Sequence, residues 1–328
     1  MLFRSFEVTV FEPSAWGGKA RSIPVAGTGA GGRADLPGEH GFRFFPGFYH
    51  HVPETMRRIP FGNGTVGDNL VAATGGKFLR SGDHADAFVF GIGPDPQQVL
   101  TVDGLRRFLR DTLGGSAVPP HELTYFVERL LVFLTSCDER RLGQWEKVSW
   151  WDFVGAGTRS KPYQQILAAG LTRNLVAAKE TVASTRTIGT MGEAFVYNMM
   201  GRGNDGALDR VLDLPTNEAW IDPWMTYLRG RGVRFVAGQG LVRYETAGGR
   251  VTAAVLADAS GTTSRVEADW FVSAMPVERV VPTLTSDLLA LDPGLRRLSA
   301  LTTDWMVGIQ FFLRSPVPVT KGHITFID

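Results

Sequence analysis

Short apolar runs, each closed by glycine, proline or a charged residue, recur along the chain in two alternating periods. Phe6-Glu7-Val8-Thr9-Val10-Phe11 alternates apolar and polar positions and stops at Glu12, which predicts a strand ending on an acid. Phe78-Leu79-Arg80 and Ala87-Phe88-Val89-Phe90 predict further short strands, and a short helix is expected over His51 to Ile59. The period then lengthens. Val102 to Leu113 reads as a helix stopped by Gly114-Gly115. Between His121 and Cys137 the apolar residues Leu123, Phe126, Val127, Leu130, Leu131, Phe133 and Leu134 cover most of a helix surface, so that helix is expected to be buried. The wall of an apolar substrate tunnel, or a face that dips into a membrane, is the functional alternative for the same surface. Tyr163 to Lys179 and Thr187 to Met200 continue the helical spacing, the second with Met191, Phe195, Val196, Met199 and Met200. Asp152, in the aromatic cluster Trp145, Trp150, Trp151 and Phe153, is a candidate helix cap.

After a helix over Asp222 to Arg229, the strand period returns in Val233-Arg234-Phe235-Val236, Gly240 to Tyr244, Arg250 to Leu256 and Ser264 to Ala268, the last three forming a β-meander. Asp269 to Pro276 is a continuous apolar run, the pattern of a strand buried on both faces of a parallel sheet. Val277 to Leu301 reads as helical, and Trp305 to Leu313 as a strand. Two strand-bearing blocks thus bracket a helical one, the arrangement of an α/β protein with an inserted, mainly helical lobe.

Composition narrows the picture. At 328 residues the chain exceeds one typical domain, and a 44% hydrophobic content is ample for a core. A net charge of +1 argues against a dedicated nucleic-acid surface. Cys137 is the only cysteine, so no internal disulfide forms and a reducing, cytoplasmic setting is expected. No apolar run reaches the ~18 residues a spanning helix needs, which leaves peripheral membrane contact as the open alternative. Histidine and cysteine spacing suggests no metal site.

The candidate chemistry lies near the start. Glu12 stands at the carboxyl end of its strand, where open parallel sheets bind ligands, and a carboxylate there can accept both ribose hydroxyls of an adenine dinucleotide. Gly17 and Gly18 would let backbone N–H groups approach a pyrophosphate, and Lys19 and Arg21 add positive charge. A strand followed by a polar glycine turn is the plain alternative. Gly27-Thr28-Gly29-Ala30-Gly31-Gly32 fits G-x-G-x-x-G literally, but Arg33-Ala34-Asp35-Leu36-Pro37 cannot open the helix that fingerprint requires, and it is read as a loop.

A strand ending in Glu12, then Gly17-Gly18-Lys19, then His40-Gly41-Phe42-Arg43-Phe44, resembles the flavin-containing amine oxidase and phytoene desaturase superfamily, nearest to its bacterial hydroxysqualene dehydroxylase-like and carotenoid desaturase-like branch. The resemblance implies FAD as cofactor, with Gly41, Phe42, Arg43 and Phe44 beside the flavin, Leu241 against the adenine and Ala274 beside the dinucleotide. Leu241 stands where valine is commoner. It further implies a partial Rossmann-like FAD-binding domain from 1–50 and 205–290, and a substrate domain from 51–204 and 291–328. The family's opening G-x-G-x-x-G turn and closing flavin segment have no counterpart here, so a chain truncated at both ends is expected. The implied activity is oxidation or dehydroxylation of a polyisoprenoid, an apolar small molecule. A flavin amine oxidase and a non-catalytic form that has lost FAD stay open. No catalytic acid or base can be distinguished, and the oligomeric state is undetermined.

Overall fold

The computed structural model describes residues 6–41, 43–73, 75–79, 86–90, 101–104, 107, 118–174, 176–315, 317 and 322–326. In chain order these form β1 (Thr9–Glu12), β2 (Ser22–Pro24), β3 (Pro37–Glu39), α1 (His51–Met56), β4 (Pro60–Phe61), β5 (Gly64–Thr65), β6 (Leu70–Ala72), β7 (Gly75–Leu79) and β8 (Asp86–Phe90). Then come α2 (Pro120–Leu134), α3 (Asp138–Gly143), α4 (Trp150–Phe153), a π-helical stretch Tyr163–Asn174, α5 (Thr185–Met199), β9 (Arg210–Leu212) and a π-turn Asn217–Ile221 leading into α6 (Asp222–Gly230). The remainder is β10 (Arg234–Ala237), β11 (Gly240–Ala247), β12 (Arg250–Ala257), β13 (Thr263–Glu267), α7 (Val277–Val280), α8 (Ser286–Leu291) and β14 (Gly322–Phe326). Helix accounts for 41% and strand for 19%, a mixed α/β content.

The chain divides into two compact units. The first comprises Met1–Phe42, Ile59–Val66 and Leu214–Phe312. In it β1 pairs in parallel with β10, from Thr9 opposite Arg234 to Glu12 opposite Ala237. The ladder runs on at both ends, Arg234 N–H donating to the Val8 carbonyl at 3.0 Å and Gly238 N–H to the Glu12 carbonyl at 2.8 Å. The meander forms as expected, β11-β12-β13, with Ala253 to Leu256 of the central strand buried. Gly248 and Gly249 make its first turn at φ 59° and 77°, the two positive angles a tight hairpin needs and that glycine adopts without strain.

The second unit comprises Arg43–Arg58, Gly67–Asp213 and Leu313–Asp328. Its core packs Phe126 and Phe133 of α2 with Trp145, Trp150, Phe153, Tyr163, Leu167 and Ile188. α2 buries Leu123, Phe126, Val127 and Phe133 of its seven predicted apolar positions, and Leu130, Leu131 and Leu134 are half-buried. Two helices begin on serine caps: Ser149 accepts from Asp152 N–H at the start of α4, and Ser184 from Thr187 N–H at the start of α5. The cap at α4 is therefore Ser149, and Asp152 is the residue it holds. β14 lies parallel to β7, which pairs antiparallel with β8. β6 pairs antiparallel with β9. Residues 43–50 belong to this unit and 291–312 to the first.

Two expected strands do not form. Residues 269–276 and 305–313 run irregularly and largely exposed, with Trp270 79%, Val272 88%, Trp305 79% and Phe311 78% accessible. An extended run needs a neighbour to take its N–H and C=O groups, and among the described residues no strand pairs with either. The long helix expected over Val277 to Leu301 is instead broken into α7, α8 and 3-10 turns, with Pro282 and Pro293 inside two of the turns. Most of the helix expected over Val102 to Leu113 lies outside the described residues. No described helix is long and apolar enough to cross a membrane.

Gly189, within α5, tests the packing. Alanine in place of a helical glycine ordinarily stabilises by about 0.5–1 kcal/mol. Here the added Cβ would lie 2.5 Å from the buried Phe133 ring. Gly189→Ala is expected to destabilise by about 1–3 kcal/mol in urea unfolding, because overpacking outweighs helix propensity.

Candidate functional site

The first candidate site grows from the end of β1. Parallel pairing with β10 fixes where the strand stops, and the chain turns at Pro13-Ser14. Ser14 donates both its N–H and its hydroxyl to Glu12 Oε1, each at 2.9 Å. Both bonds use the same oxygen, so the carboxylate is oriented while Oε2 has no hydrogen bond to a described residue. Trp16 sets its ring edge-on to Phe235 of β10 at 5.1 Å and anchors the loop on the sheet. Gly17 then takes φ 94°, open to glycine and strained for other residues, and a Cβ there would meet Arg21 Cβ at 3.0 Å and Ile221 at 3.2 Å. Gly18, at φ 53°, faces open space.

The two cations after this turn are engaged. The Arg21 guanidinium folds back and donates to the Gly18 carbonyl at 2.8 Å, clasping the turn. Lys19 Nζ lies 2.7 Å from Glu278 Oε1 of α7, and this pair with Lys19 holds the Glu278 carboxyl below its usual range. The contact brings Glu278, four residues beyond Ala274, to the glycine turn. Ala274 itself is exposed and irregular rather than buried in a strand. Leu241 is half-buried on β11 opposite Leu256, next to Gly240, which packs against Pro13. Gly17 to Arg21 thus follow Glu12 within one loop, and Leu241 is the neighbour of Gly240, which lies against Pro13 at the end of β1.

A second network braces this region. Glu39 on β3 accepts the Ser22 hydroxyl through Oε1, together with Thr216 N–H, and the Thr216 hydroxyl through Oε2, each at 2.8 Å. Asn217 and Ser22 exchange a further pair of bonds. These ties hold the β2–β3 hairpin to the turn that opens α6. The glycine loop from Gly27 to Gly32 is a series of turns held by Thr28 and Asp35 and opens no helix.

Gly41 is exposed at φ 105°, and Phe42 lies outside the described residues. Arg43 and Phe44 belong to the second unit, where the segment from Arg43 to Gly47 runs along residues 207–210. Phe45 and Arg210 exchange backbone bonds at 3.1 and 3.2 Å, and Gly47 N–H reaches the Leu208 carbonyl at 3.0 Å. The buried Arg210 guanidinium donates to the Phe45 and Pro46 carbonyls and pairs with Asp205. Phe44 stacks on Phe195 of α5 at 6.0 Å and meets His323 edge-on at 5.2 Å. His323 Nδ1 lies 2.9 Å from Asp209 Oδ2. This is the carboxylate–histidine pair that sequence inspection misses. Asp209 and His323 carry no shared local motif, and they meet only because β14 returns beside β7. Among the described residues no cluster of His, Cys, Asp and Glu could hold a metal ion.

No family model matches the chain, and no curated protein does. Solved structures do. An oxidoreductase from Methanosarcina mazei superposes with a TM-score of 0.54 at 13% identity, over 90% of this chain and 60% of that one. A provisionally assigned protoporphyrinogen oxidase from Exiguobacterium sp. 255-15 gives a TM-score of 0.45 at 15% identity, over 89% of this chain and 58% of that one. The first likeness shows a shared fold with a solved oxidoreductase, and this chain spans about 60% of its length.

The brace at Glu39 has a measurable consequence. Glu39→Gln swaps one acceptor oxygen for a donor amide against partners that donate. It is expected to lower unfolding stability by about 1–3 kcal/mol, the cost of an unmet polar contact away from water, as read by urea denaturation.

Proposed function

We propose that this protein binds FAD and is an oxidoreductase acting on an apolar, polyisoprenoid or carotenoid-type lipid, by desaturation or dehydroxylation. The observation that carries the reading is the end of β1, where Ser14 orients Glu12 through one oxygen and leaves the other directed to no described partner. Such a carboxylate suits the ribose hydroxyls of the adenosine half. The Gly17-Gly18 turn, open on the Gly18 side, suits a pyrophosphate. Leu241 offers apolar contact for adenine. The fold shared with a solved oxidoreductase supports the same reading. A bound flavin would supply the redox chemistry by accepting or returning a hydride, and the chain's residues would bind and orient it.

An apolar substrate is supported by α5. Met191, Phe195, Val196, Met199 and Met200 are all half-buried and stand outside the core cluster of the second unit. Methionine adapts to irregular apolar shapes, as a flexible lipid chain requires. A second reading, a protein that has lost FAD, is favoured by one observation: Lys19 and Arg21 already hold internal partners.

Flavin fluorescence titration of the purified protein separates the two. The reading above predicts saturable FAD binding, displacement by ADP-ribose, and weakening by roughly tenfold or more in Glu12→Gln, the loss of a charged acceptor. FMN binding as tightly as FAD would overturn the adenosine assignment. No flavin binding would establish the second reading.

A further inference from the structure

We propose that His323, held between the Asp209 carboxylate and the Arg43 carbonyl, is a positioning residue that fixes the course of the Arg43–Gly47 segment according to its protonation. The inference goes beyond the flavin reading and stands on the geometry of the second unit alone.

The argument begins with hydrogen-bond polarity. Nδ1 of His323 faces Asp209 Oδ2 at 2.9 Å, and Nε2 faces the Arg43 carbonyl oxygen at 3.4 Å. Both partners are acceptors. A neutral imidazole carries one N–H and one lone pair, so it can serve only one of them and sets a lone pair against the other. The imidazolium carries two N–H groups and serves both. The site is therefore complementary to the charged ring.

The charges around the ring agree. Asp209 is the nearest acid, and its other oxygen accepts Arg210 N–H at 2.7 Å, which keeps the carboxylate aimed at the histidine. The Arg210 guanidinium is turned away, onto Asp205 and the Phe45 and Pro46 carbonyls. From the Arg43 segment it is a backbone oxygen that meets the ring, and Phe44 adds an aromatic edge contact. On β7 the register partner of His323 is Gly76, which brings no charge. Burial works against the charged ring. The Asp209 bond and charge, with the Arg43 carbonyl, outweigh it and raise the pKa above the ordinary 6.5.

The consequence for the segment follows. Its carbonyls at Phe45 and Pro46 are held by the Arg210 guanidinium, a donor-only group. The carbonyl at Arg43 is held by a group that titrates. With a raised folded pKa, the clasp is complete below pH 6.5 and is lost as pH rises through the folded value. Arg43 and Phe44 should then loosen while Phe45 to Gly47 stay tied through Arg210 and the backbone bonds to residues 208–210.

Two measurements on the full chain test this. The first follows the His323 ring by NMR from pH 5 to 9. A pKa above 6.5 that falls in Asp209→Asn is expected, and a wild-type value at or below 6.5 would overturn the proposal. The second measures the hydrogen-exchange protection factor, corrected for intrinsic rates, at the Phe44 amide over the same range, with the Phe45 amide, bonded to the Arg210 carbonyl, as the unmoved reference. Protection is expected to fall about tenfold across the His323 titration, with no such step in His323→Gln. A flat wild-type profile, or a step that persists in His323→Gln, would overturn it. Should His323→Gln fail to fold, Asp209→Asn serves in its place, with the step moving to lower pH alongside the ring. A purely structural histidine would change the melting temperature on substitution and leave the wild-type pH profile without a step.

Discussion

The parallel pairing of β1 with β10 is the constraint on which the first unit depends. A hairpin cannot join parallel strands, because the chain must cross back before it runs in the same direction again. Here residues 13–233 separate the two partners, and most of the second unit is contained in that excursion. The register places Glu12 opposite Ala237 and hands the chain directly into Gly238 and β11. Everything gathered at that end follows from it. Pro13 meets Gly240, Trp16 leans on Phe235, and Gly17 rests on Ile221. A contact closed over so long a loop carries a large entropic cost. The short, four-residue ladder is accordingly reinforced by the Glu39 network, which ties residues near 22 and 39 to 216 and 217.

What was legible in the sequence was whatever depends on near neighbours. The apolar breadth of 123–134 foretold a buried helix because helical periodicity is local. The meander over Gly240 to Ala268 was readable for the same reason, since strand alternation is local too. The absence of a helix after Gly32 was readable from Pro37 and the polar residues before it. The failures share a cause as well. Residues 269–276 and 305–313 have strand composition, but composition reports what a segment could pair with and is silent on whether a partner exists. In the structure both lie exposed without a ladder. Ser149 took the cap expected of Asp152 because the two candidates, three residues apart, are separated only by backbone angles, with the extended ψ 152° at Ser149 putting it just ahead of the turn whose Asp152 N–H it accepts.

The Arg43–Gly47 segment shows how an irregular stretch is held in place. It offers carbonyls with no strand or helix of its own to receive them, so each needs an external donor. Arg210 satisfies two at once with a planar fork, which suits Arg better than Lys. Gly47 is required there by crowding, since a Cβ would come within 2.0 Å of the Ala207 carbonyl oxygen. Neither fact is visible in the local sequence, because Arg210, which opens β9, and Ala207, just before it, lie far along the chain. The motif names the segment, and residues far from the motif decide its path.

The same contrast between local and distant partners bears on the cations at the glycine turn. Lys19 is 75% and Glu278 37% exposed, and an ion pair so open to water contributes little. Under the proposed FAD binding, a pyrophosphate would bring two negative charges to the place where Glu278 brings one, and would compete with that carboxylate for Lys19. Arg21 differs. Its partner is the Gly18 carbonyl within its own turn, and releasing it would also loosen the loop. Of the two cations, Lys19 is the one whose ion pair is open to water. Under the proposed FAD binding, the contribution of Arg21 would be to keep Gly17 and Gly18 in the conformation that exposes the Gly18 side.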